Sequence, residues 1–353
     1  MLKSLTVIDI STVLAGPSVG MFFAELGADV TKIEHPINKD VTRSWKQPDE
    51  SNDTISSYFS SINYKKSYRT LDLLNPNQRL EFDVLLENAD VLISNFKRED
   101  YIKFKLTKSD LSAKYPSLIH GKISGFGEDS DRVAYDLILQ AESGFMSMNG
   151  TEESGPVKMP VALIDVLAAH QLKEAILIAL LERISTGKGS EVHVSLYNAA
   201  ICSLINQASS YLMNGSIPQR IGSLHPSIAP YGELFQTKDG AIITFAIGSD
   251  RQFQKLMQKL DLESFTDNQQ FSTNKSRVQN RTQLFDLLNS KISGFLSDEL
   301  LEWSKNEFIP CGKVRPLDEV FNREEAKKLI RSEMIEGKET KRVTSIAFNI
   351  SSF

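Results

Sequence analysis

The segments Leu5-Thr6-Val7-Ile8-Asp9-Ile10 and Asp29-Val30-Thr31-Lys32-Ile33-Glu34 decide the fold. Both are short runs rich in β-branched residues, which is typical of buried strands. Between them lie a turn, Ala15-Gly16-Pro17-Ser18, and an apolar helix over about Val19 to Leu26, with Gly27 as its C-terminal stop. A strand, a helix and a second strand in this order predict a βαβ unit, and therefore a parallel sheet with a right-handed crossover.

Strands and helices continue to alternate after this unit. Further strands are predicted at 68–73, 90–94, 118–124 and 191–196, and helices at 75–88, 109–115 and 166–184. Glycine and proline are concentrated between Asn214 and Pro230, which marks a hinge. Beyond it the pattern predicts a hairpin over 231–246, helices near 251–260, 281–296 and 298–305, and strands near 332–335 and 343–349. The sequence thus predicts an α/β fold, with a large domain over 1–225, completed by 321–353, and a smaller α+β domain over 226–320.

Composition excludes several classes of function. The chain has 353 residues, with 40 Lys+Arg and 45 Asp+Glu, so its net charge is −5. This mild acidity argues against a nucleic-acid or anionic-membrane partner, because such surfaces need clustered basic residues. The two cysteines, Cys202 and Cys311, cannot build a disulfide framework or a structural zinc site. No apolar run approaches the length of a membrane span, and we therefore expect a cytoplasmic protein.

The familiar cofactor motifs are incomplete. Glu34 ends the second strand at the distance expected of a dinucleotide-binding carboxylate, but the preceding turn offers only Gly16 where a Gly-x-Gly-x-x-Gly loop is needed. Lys188 lies in a turn that follows a helix, whereas a phosphate-binding loop precedes one. None of the five histidines forms a pair at metal-ligand spacing, so we expect no metal site. His170, within an apolar helix, is interpreted as a packed or rim histidine.

Two carboxylates lie in apolar surroundings. Asp165 follows Pro160-Val161-Ala162-Leu163-Ile164 and directly precedes the long helix, which places it at or next to an N-cap. Free backbone N–H groups and the helix dipole favour its ionised form there. The pattern by itself is also typical of an ordinary helix cap. Asp136, within Ala134-Tyr135-Asp136-Leu137-Ile138, is interpreted either as a second functional carboxylate or as a buried structural aspartate.

Taken together, several segments resemble the family III CoA-transferases, a family that includes the α-methylacyl-CoA racemases. The similarity covers nearly the whole chain in the family's order. It rests on short segments at 7–17, 26–34, 63–73, 90–96, 124–127, 135–144, 186–189, 225–231 and 309–320. The resemblance implies a large Rossmann-like domain, a small domain, and an interlocked homodimer in which each chain threads through the other.

The resemblance assigns Asp165 as the covalent nucleophile, since the family's aspartate stands just before a long helix that ends in a Thr-Gly-Lys-Gly-like turn. An aspartate with an ordinary pKa of about 3.9 is almost fully ionised at neutral pH. In this family the carboxylate attacks an acyl-CoA to give an anhydride and then an aspartyl-CoA thioester, which a carboxylic acid acceptor resolves. The implied substrates are an acyl-CoA and a small carboxylic acid, without a tightly bound cofactor.

Several positions match the family's CoA contacts. They are Leu14, Ala15, His35, Asn63, Lys65, Asn95, Phe96, Lys103, Arg132 and Tyr135. Basic side chains suit the phosphates of CoA, and apolar or backbone groups suit its pantetheine arm. His35 stands where arginine is common in the family.

Tyr135 separates the two branches of this family. The racemases carry a histidine directly before the aspartate that matches Asp136, as half of a proton-transfer pair. Tyrosine, with an ordinary pKa of about 10, is a poor base at neutral pH. The sequence therefore favours CoA transfer. A racemase or epimerase remains the enzymatic alternative, and a CoA-binding relative without activity remains open because the chain ends before the family's usual C-terminal tail.

Overall fold

The structure is a computed structural model, and it describes residues 2–351. These residues form two compact units. The first contains 2–147, 158–218 and 327–351, and the second contains 148–157 and 219–326. The domain boundaries expected at 225/226 and 320/321 stay a prediction, and residues 1, 352 and 353 of the expected large domain lie outside the described residues.

The strands and helices of the described residues are numbered in chain order. The strands are β1 Thr6–Asp9, β2 Asp29–Glu34, β3 Ser67–Thr70, β4 Val91–Ser94, β5 Ile119–Ser124, β6 Gly150–Thr151, β7 Gly155–Pro156, β8 Glu191–Ser195, β9 Phe235–Gln236, β10 Ile242–Phe245, β11 Cys311–Lys313, β12 Ile330–Ile335 and β13 Lys338–Val343. The helices are α1 Ala15–Glu25, α2 Ser57–Ser61, α3 Pro76–Glu87, α4 Arg98–Lys103, α5 Lys108–Lys114, α6 Asp136–Glu142, α7 Phe145–Met148, α8 Leu163–Thr186, α9 Leu196–Cys202, α10 Ile205–Asn214, α11 Asp250–Lys259, α12 Asn274–Gln279, α13 Arg281–Ile292, α14 Ser297–Asn306, α15 Leu317–Phe321 and α16 Glu324–Lys327.

The first unit is built on a six-stranded sheet in the order β3-β2-β1-β4-β5-β8. Every neighbouring pair in it is parallel. This confirms the predicted α/β fold with a parallel sheet. The strand order reverses between β1 and β4, and in such sheets ligands bind beyond the carboxyl ends of the strands at this switch point.

Helix α1 begins earlier than predicted, because the expected turn at Ala15–Ser18 is its first turn. Pro17 is tolerated there, since the first N–H groups of a helix have no intrahelical acceptor. Gly16 is required at this position because an added Cβ would overlap the side chain of Ser11. The helix ends as predicted, with Gly27 at φ 97°.

Helix α8 also begins earlier than expected, at Leu163 instead of Val166. Gly187 ends it in the left-handed conformation at φ 68°, as the glycine in the sequence predicts. Its buried face, which includes Ala168, Leu172 and Ile176, joins α1 and the central strands in one apolar core. The early start places Asp165 inside the first turn of the helix.

The second unit contains the three-stranded antiparallel sheet β11-β10-β9. The predicted hairpin is confirmed, since β9 pairs with β10 across the turn that ends at Gly240. Phe235 and Phe245 lie in the core of this unit together with α11, α13 and α14. The unit is therefore α+β in character.

The C-terminal hairpin differs from the sequence-based prediction. Strand β12 pairs with β13, which begins at Lys338 instead of Val343, and the expected strand over 343–349 is wrong. Glu336 and Gly337 both have positive φ, at 51° and 76°. Two such residues form the tight turn that antiparallel strands favour, so the second strand begins directly after it.

Candidate active site

The loops that follow β1 and β4 are joined by one amide side chain at the switch point of the sheet. Asn95 accepts a hydrogen bond from the Thr12 N–H at 3.0 Å and donates one to the Thr12 carbonyl at 2.8 Å. Both functional groups of the Asn95 side chain are thus engaged within the protein. Asn95 shapes this edge of the sheet through these bonds.

A cavity of about 680 Å³ lies beside this junction. Of the predicted CoA contacts, Asn95, Phe96, Arg132 and Tyr135 line it. Its basic lining residues are Lys97, Arg98, Lys108, Lys122 and Arg132, and its acidic ones are Glu128, Asp129, Asp131 and Glu191. A cavity of this size with a few convergent charged groups is typical of a small-molecule site.

One wall of this cavity is made by the segment that follows β5. Arg132 pairs with Glu142 and places its guanidinium carbon 3.8 Å from the centroid of the Phe126 ring. Tyr135 is 49% exposed and precedes the first residue of α6. Because Arg132 is already paired, a phosphate would have to share its guanidinium with Glu142.

Asp165 lies in the first turn of α8 and is only 7% exposed. Within residues 2–351 its carboxylate accepts no hydrogen bond, which is unusual for a buried carboxylate. Burial raises the pKa of Asp165, and the charge of Asp136 raises it further, to about 7. This differs from the sequence-based expectation of an almost fully ionised carboxylate, because the sequence did not reveal how deeply the side chain is buried.

Asp136 provides the helix cap that the sequence assigned to Asp165. Its Oδ1 atom accepts the Ile164 N–H at 2.8 Å, and its Oδ2 atom accepts the Gln140 amide at 2.6 Å. A carboxylate from α6 therefore satisfies a free N–H at the start of α8. Asp136 in this way holds the α8 N-terminus, and with it Asp165, against α6.

Sequence reasoning missed two aromatic residues here: Tyr58, which lies close to these carboxylates, and Trp45, which packs on Tyr58. Burial raises the pKa of Tyr58 to about 12, with the charges of Asp165 and Asp136 as the next causes. The Trp45 ring lies 5.2 Å from the ring of Tyr58 and 6.4 Å from that of Tyr135, between centroids. No sequence motif predicts a role for Trp45 or Tyr58, because only the packing of the segment between β2 and β3 brings them together.

The remaining predicted contacts do not line the cavity. Leu14 directly precedes α1, and Ala15 is the buried first residue of that helix. Lys103 is exposed at the end of α4. The side chain of His35 accepts two backbone N–H groups from the loop that follows it. Lys65 is exposed at the surface, where its backbone N–H donates to Glu333.

Asn63 and its neighbour Lys66 belong to a buried network. Asn63 is fully buried, accepts a hydrogen bond from the Lys66 ammonium and donates one to the Phe59 carbonyl. The same ammonium lies 2.8 Å from the Asp9 carboxylate at the end of β1. Burial alone would raise the pKa of Asp9, but Lys66 and Lys32 hold it below its ordinary value. The Lys66 ammonium also donates to the Pro17 carbonyl in α1, so this network fixes the loop between β1 and α1, and no sequence pattern predicted it.

Comparison with known proteins identifies the family. A model of CoA-transferase family III matches residues 2–352. The chain belongs to CoA-transferase family III. It is 33% identical to the succinate–glutarate CoA-transferase of Agrobacterium fabrum, over 91% of this chain and 81% of that protein, and 31% identical to the human succinyl-CoA:glutarate CoA-transferase, over 91% and 73%. A crystal structure of a CAIB/BAIF family protein from Brucella suis superposes with a TM-score of 0.86 at 33% identity, covering 99% of this chain and 92% of that one.

This family III CoA-transferase therefore acts on acyl-CoA, and its fold is that of the CAIB/BAIF proteins. Among residues 2–351 every helix is too short or too polar to span a bilayer. In the same part of the chain, no three His, Cys, Asp or Glu side chains come together as a metal site would require. The titratable groups that interact with Asp165 are a second carboxylate, Asp136, and the phenol of Tyr58.

Proposed function

We propose that this family III CoA-transferase moves CoA from succinyl-CoA to a second dicarboxylic acid, with Asp165 as the covalent nucleophile. The observation that carries the assignment of Asp165 is its environment: a carboxylate that is buried, accepts no hydrogen bond and lies in the first turn of α8. The names of the similar transferases, which include succinyl-CoA:mesaconate CoA-transferase of Haloarcula hispanica at 30% identity, support the substrate class.

The transfer proceeds by four acyl exchanges. A carboxylate oxygen of Asp165 attacks the thioester carbonyl of succinyl-CoA and the carbon–sulfur bond breaks. The products of this step are an aspartyl–succinyl anhydride and free CoA thiolate. The thiolate attacks the Asp165 carbonyl of this anhydride and releases succinate, which leaves an aspartyl-CoA thioester. The acceptor carboxylate attacks that thioester to form a second anhydride and CoA thiolate. The thiolate then attacks the acceptor acyl carbon, which gives the new acyl-CoA and frees Asp165.

The surroundings of Asp165 suit this chemistry. A carboxylate that accepts no hydrogen bond keeps its lone pairs available for attack, whereas a carboxylate in water is blocked by its hydration shell. The charge of Asp136 raises the free energy of the ionised ground state, and covalent bond formation removes that charge from Asp165. The positive end of the α8 dipole favours the ionised form of Asp165, so that a fraction of the molecules carries the carboxylate near neutral pH.

We place CoA in the cavity beside the Asn95 junction. Lys97, Arg98 and Lys108 supply positive charge for the phosphates, and the aromatic ring of Phe96 supplies an apolar wall for the pantetheine arm or adenine. The other predicted contacts, Leu14, Ala15, His35, Asn63, Lys65 and Lys103, remain proposals. The side chain of Asn63 is buried, so in this proposal it supports the CoA site through its hydrogen bonds to Lys66 and Phe59.

We also propose the homodimer implied by the family resemblance. Helix α10 has no buried residue among the described ones, and Ile205, Leu212 and Met213 on it are 72%, 79% and 80% exposed. Large apolar side chains this exposed on one helix are typical of a protein interface. Sedimentation at micromolar concentration should give twice the chain mass, and a mass equal to one chain would refute the homodimer.

Trapping the covalent intermediate tests the proposed nucleophile. The enzyme is incubated with succinyl-CoA and hydroxylamine, digested, and its peptides are weighed by mass spectrometry. A hydroxamate on the peptide that contains Asp165 is expected in the wild type and in Glu174→Gln, an exposed change on the same helix. It should be absent from Asp165→Ala. Adduct formation on another carboxylate, or near wild-type turnover of Asp165→Ala, would refute the assignment.

An exchange experiment addresses the racemase alternative. Tyr135 is half exposed and stands where the racemases carry histidine. We expect no enzyme-dependent uptake of deuterium at the α-carbon of a 2-methylacyl-CoA in D₂O without acceptor acid. Steady uptake observed by NMR would favour the racemase over the transferase.

A further inference from the structure

A chain of buried polar groups leads from β8 through the sheet to the cavity wall. His120 on β5 is 2% exposed, and its Nε2 atom lies 2.8 Å from the Ser94 hydroxyl at the end of β4. The Ser94 hydroxyl lies 2.9 Å from the Tyr101 hydroxyl, which accepts the Phe96 N–H at 3.2 Å. On its other side, His120 Nδ1 lies 3.4 Å from a carboxylate oxygen of Glu191. We name this set of five residues the β4–β5 relay.

The charge of Glu191 favours one direction for the hydrogen bonds in the relay. The His120 Nδ1 and Glu191 Oε2 atoms are 3.4 Å apart but do not meet hydrogen-bond geometry, so Glu191 acts on the ring through its charge. This negative charge favours the tautomer of neutral His120 that carries its proton on Nδ1. Nε2 is then an acceptor, and the Ser94 O–H must donate to it. The Tyr101 O–H in turn donates to Ser94, which leaves a phenol lone pair for the Phe96 N–H. Every donor thus points from the cavity wall toward His120.

His120 is neutral in this arrangement. Burial lowers the pKa of His120, and the opposing effect of Glu191 does not overcome it. The charged groups that face the ring are Glu191, Lys122 and Glu128, and Lys122 itself pairs with Glu128 at 2.5 Å. If His120 were protonated on both nitrogens, Ser94 would have to accept from Nε2 and donate to Tyr101. The Tyr101 proton would then lose its acceptor in the relay.

The relay ends at the cavity. Tyr101 and Phe96 both line it, and their rings pack together with centroids 5.8 Å apart. The Lys122 ammonium lies 4.8 Å from the centroid of the Tyr101 ring and also lines the cavity. The Tyr101 hydroxyl therefore holds the backbone immediately after Asn95, where β4 leaves the sheet.

We propose that the β4–β5 relay is a positioning device for CoA, in which His120 and Ser94 orient the Tyr101 hydroxyl so that it fixes Phe96 at the CoA-binding wall. This rests on the proposed function, since it takes CoA as the occupant of the cavity. None of the five residues reacts with the acyl group. The relay acts on CoA binding and leaves the chemistry at Asp165 unchanged.

The test compares two single variants and their double variant with a matched control. Tyr101→Phe removes the hydroxyl that holds Phe96, and Ser94→Ala separates that hydroxyl from His120. Tyr115→Phe is the control, because its hydroxyl bonds Asp83 and the residue lies outside the cavity lining. Calorimetry with free CoA and steady-state kinetics with succinyl-CoA are measured on each, after circular dichroism has verified folding.

Loss of one neutral hydrogen bond should weaken CoA binding and raise KM about five- to tenfold in Tyr101→Phe, with kcat within about twofold of wild type. Ser94→Ala should show the same pattern, and the double variant should be no weaker than Tyr101→Phe, because the two residues act in series. Tyr115→Phe should bind as the wild type does. Equal effects on kcat and KM, or additive losses, would refute the relay.

The tautomer of His120 gives a readout independent of activity. Nitrogen NMR of ¹⁵N-histidine protein, with His120 assigned by comparison with His120→Gln, should show protonated Nδ1 and unprotonated Nε2. The reverse tautomer would refute the direction derived above. Failure of the wild type to bind CoA would refute the proposed function, whereas CoA affinity unchanged in Tyr101→Phe would refute the relay alone.

Discussion

Replacement of Asp165 by asparagine should remove a pH-dependent penalty on folding. The side chain is buried, and its pKa in the folded protein is about 7, against an ordinary value of 3.8. Between these two values the folded protein binds a proton that the unfolded chain has lost. Stability therefore falls as the pH rises through this interval, and the loss is complete once the pH exceeds the folded pKa.

The magnitude follows from the two pKa values. Compared with an aspartate whose pKa is the same in both states, the raised pKa of Asp165 lowers the free energy of unfolding by about 4 kcal/mol at about pH 8 and by about 2 kcal/mol at about pH 5. Asparagine carries no charge at either pH. The stability of Asp165→Asn relative to wild type should therefore increase by roughly 2–3 kcal/mol between these conditions, while CoA transfer is lost.

Urea denaturation of both proteins between about pH 5 and about pH 8 measures this difference. Glu174→Gln, an exposed carboxylate change on the same helix, is the matched control and should show the same pH dependence as the wild type. Parallel pH profiles for wild type and Asp165→Asn would show that Asp165 titrates at its ordinary pKa. That result would refute the argument that burial destabilises its ionised form.

Three further outcomes follow from the geometry. Asp136→Asn keeps an oxygen for the α8 N-terminus but removes the charge that raises the pKa of Asp165. The acidic limb of the pH–kcat/KM profile should therefore move to lower pH, and an unmoved limb would contradict this coupling. Lys66→Met leaves Asp9 buried without its ion-pair partner and should lower the free energy of unfolding in urea by about 3–5 kcal/mol, whereas a loss under about 1 kcal/mol would show that the pair contributes little. Gly189→Ala places a Cβ against the backbone before β5 and should destabilise the protein by about 1–3 kcal/mol, seen as a lower Tm; an unchanged Tm would show that this loop relaxes freely.

Local sequence patterns predicted much of the fold. The β-branched runs at β1, β2, β4 and β5 identified buried strands, and the helices between them required a parallel sheet, which the structure confirms. Helix ends were predictable where glycine marks them, as at Gly27 and Gly187. Helix starts were not, since α1 and α8 begin without a side-chain cap of their own. The start of α8 is set by Asp136, which is distant in sequence.

The candidate site was only partly accessible from the sequence. Family resemblance selected Asp165, which lies outside the lining of the cavity. It also selected Asn95, Phe96, Arg132 and Tyr135, which line it. Neither Trp45 nor Tyr58 was predicted, because an aromatic residue in the segment between β2 and β3 carries no local signal of what it packs against. Asn63 and Lys65 were assigned similar roles, yet the first is buried and the second exposed.

The sequence by itself determined the alternation of strands and helices, because periodicity and turn residues act over a few neighbouring positions. Only the tertiary structure determined the pKa values of the buried carboxylates. The pKa of Asp165 depends on burial by residues from several elements and on a carboxylate 29 positions earlier in the chain. Charge interactions and desolvation depend on distances through space, and only the folded chain sets those distances.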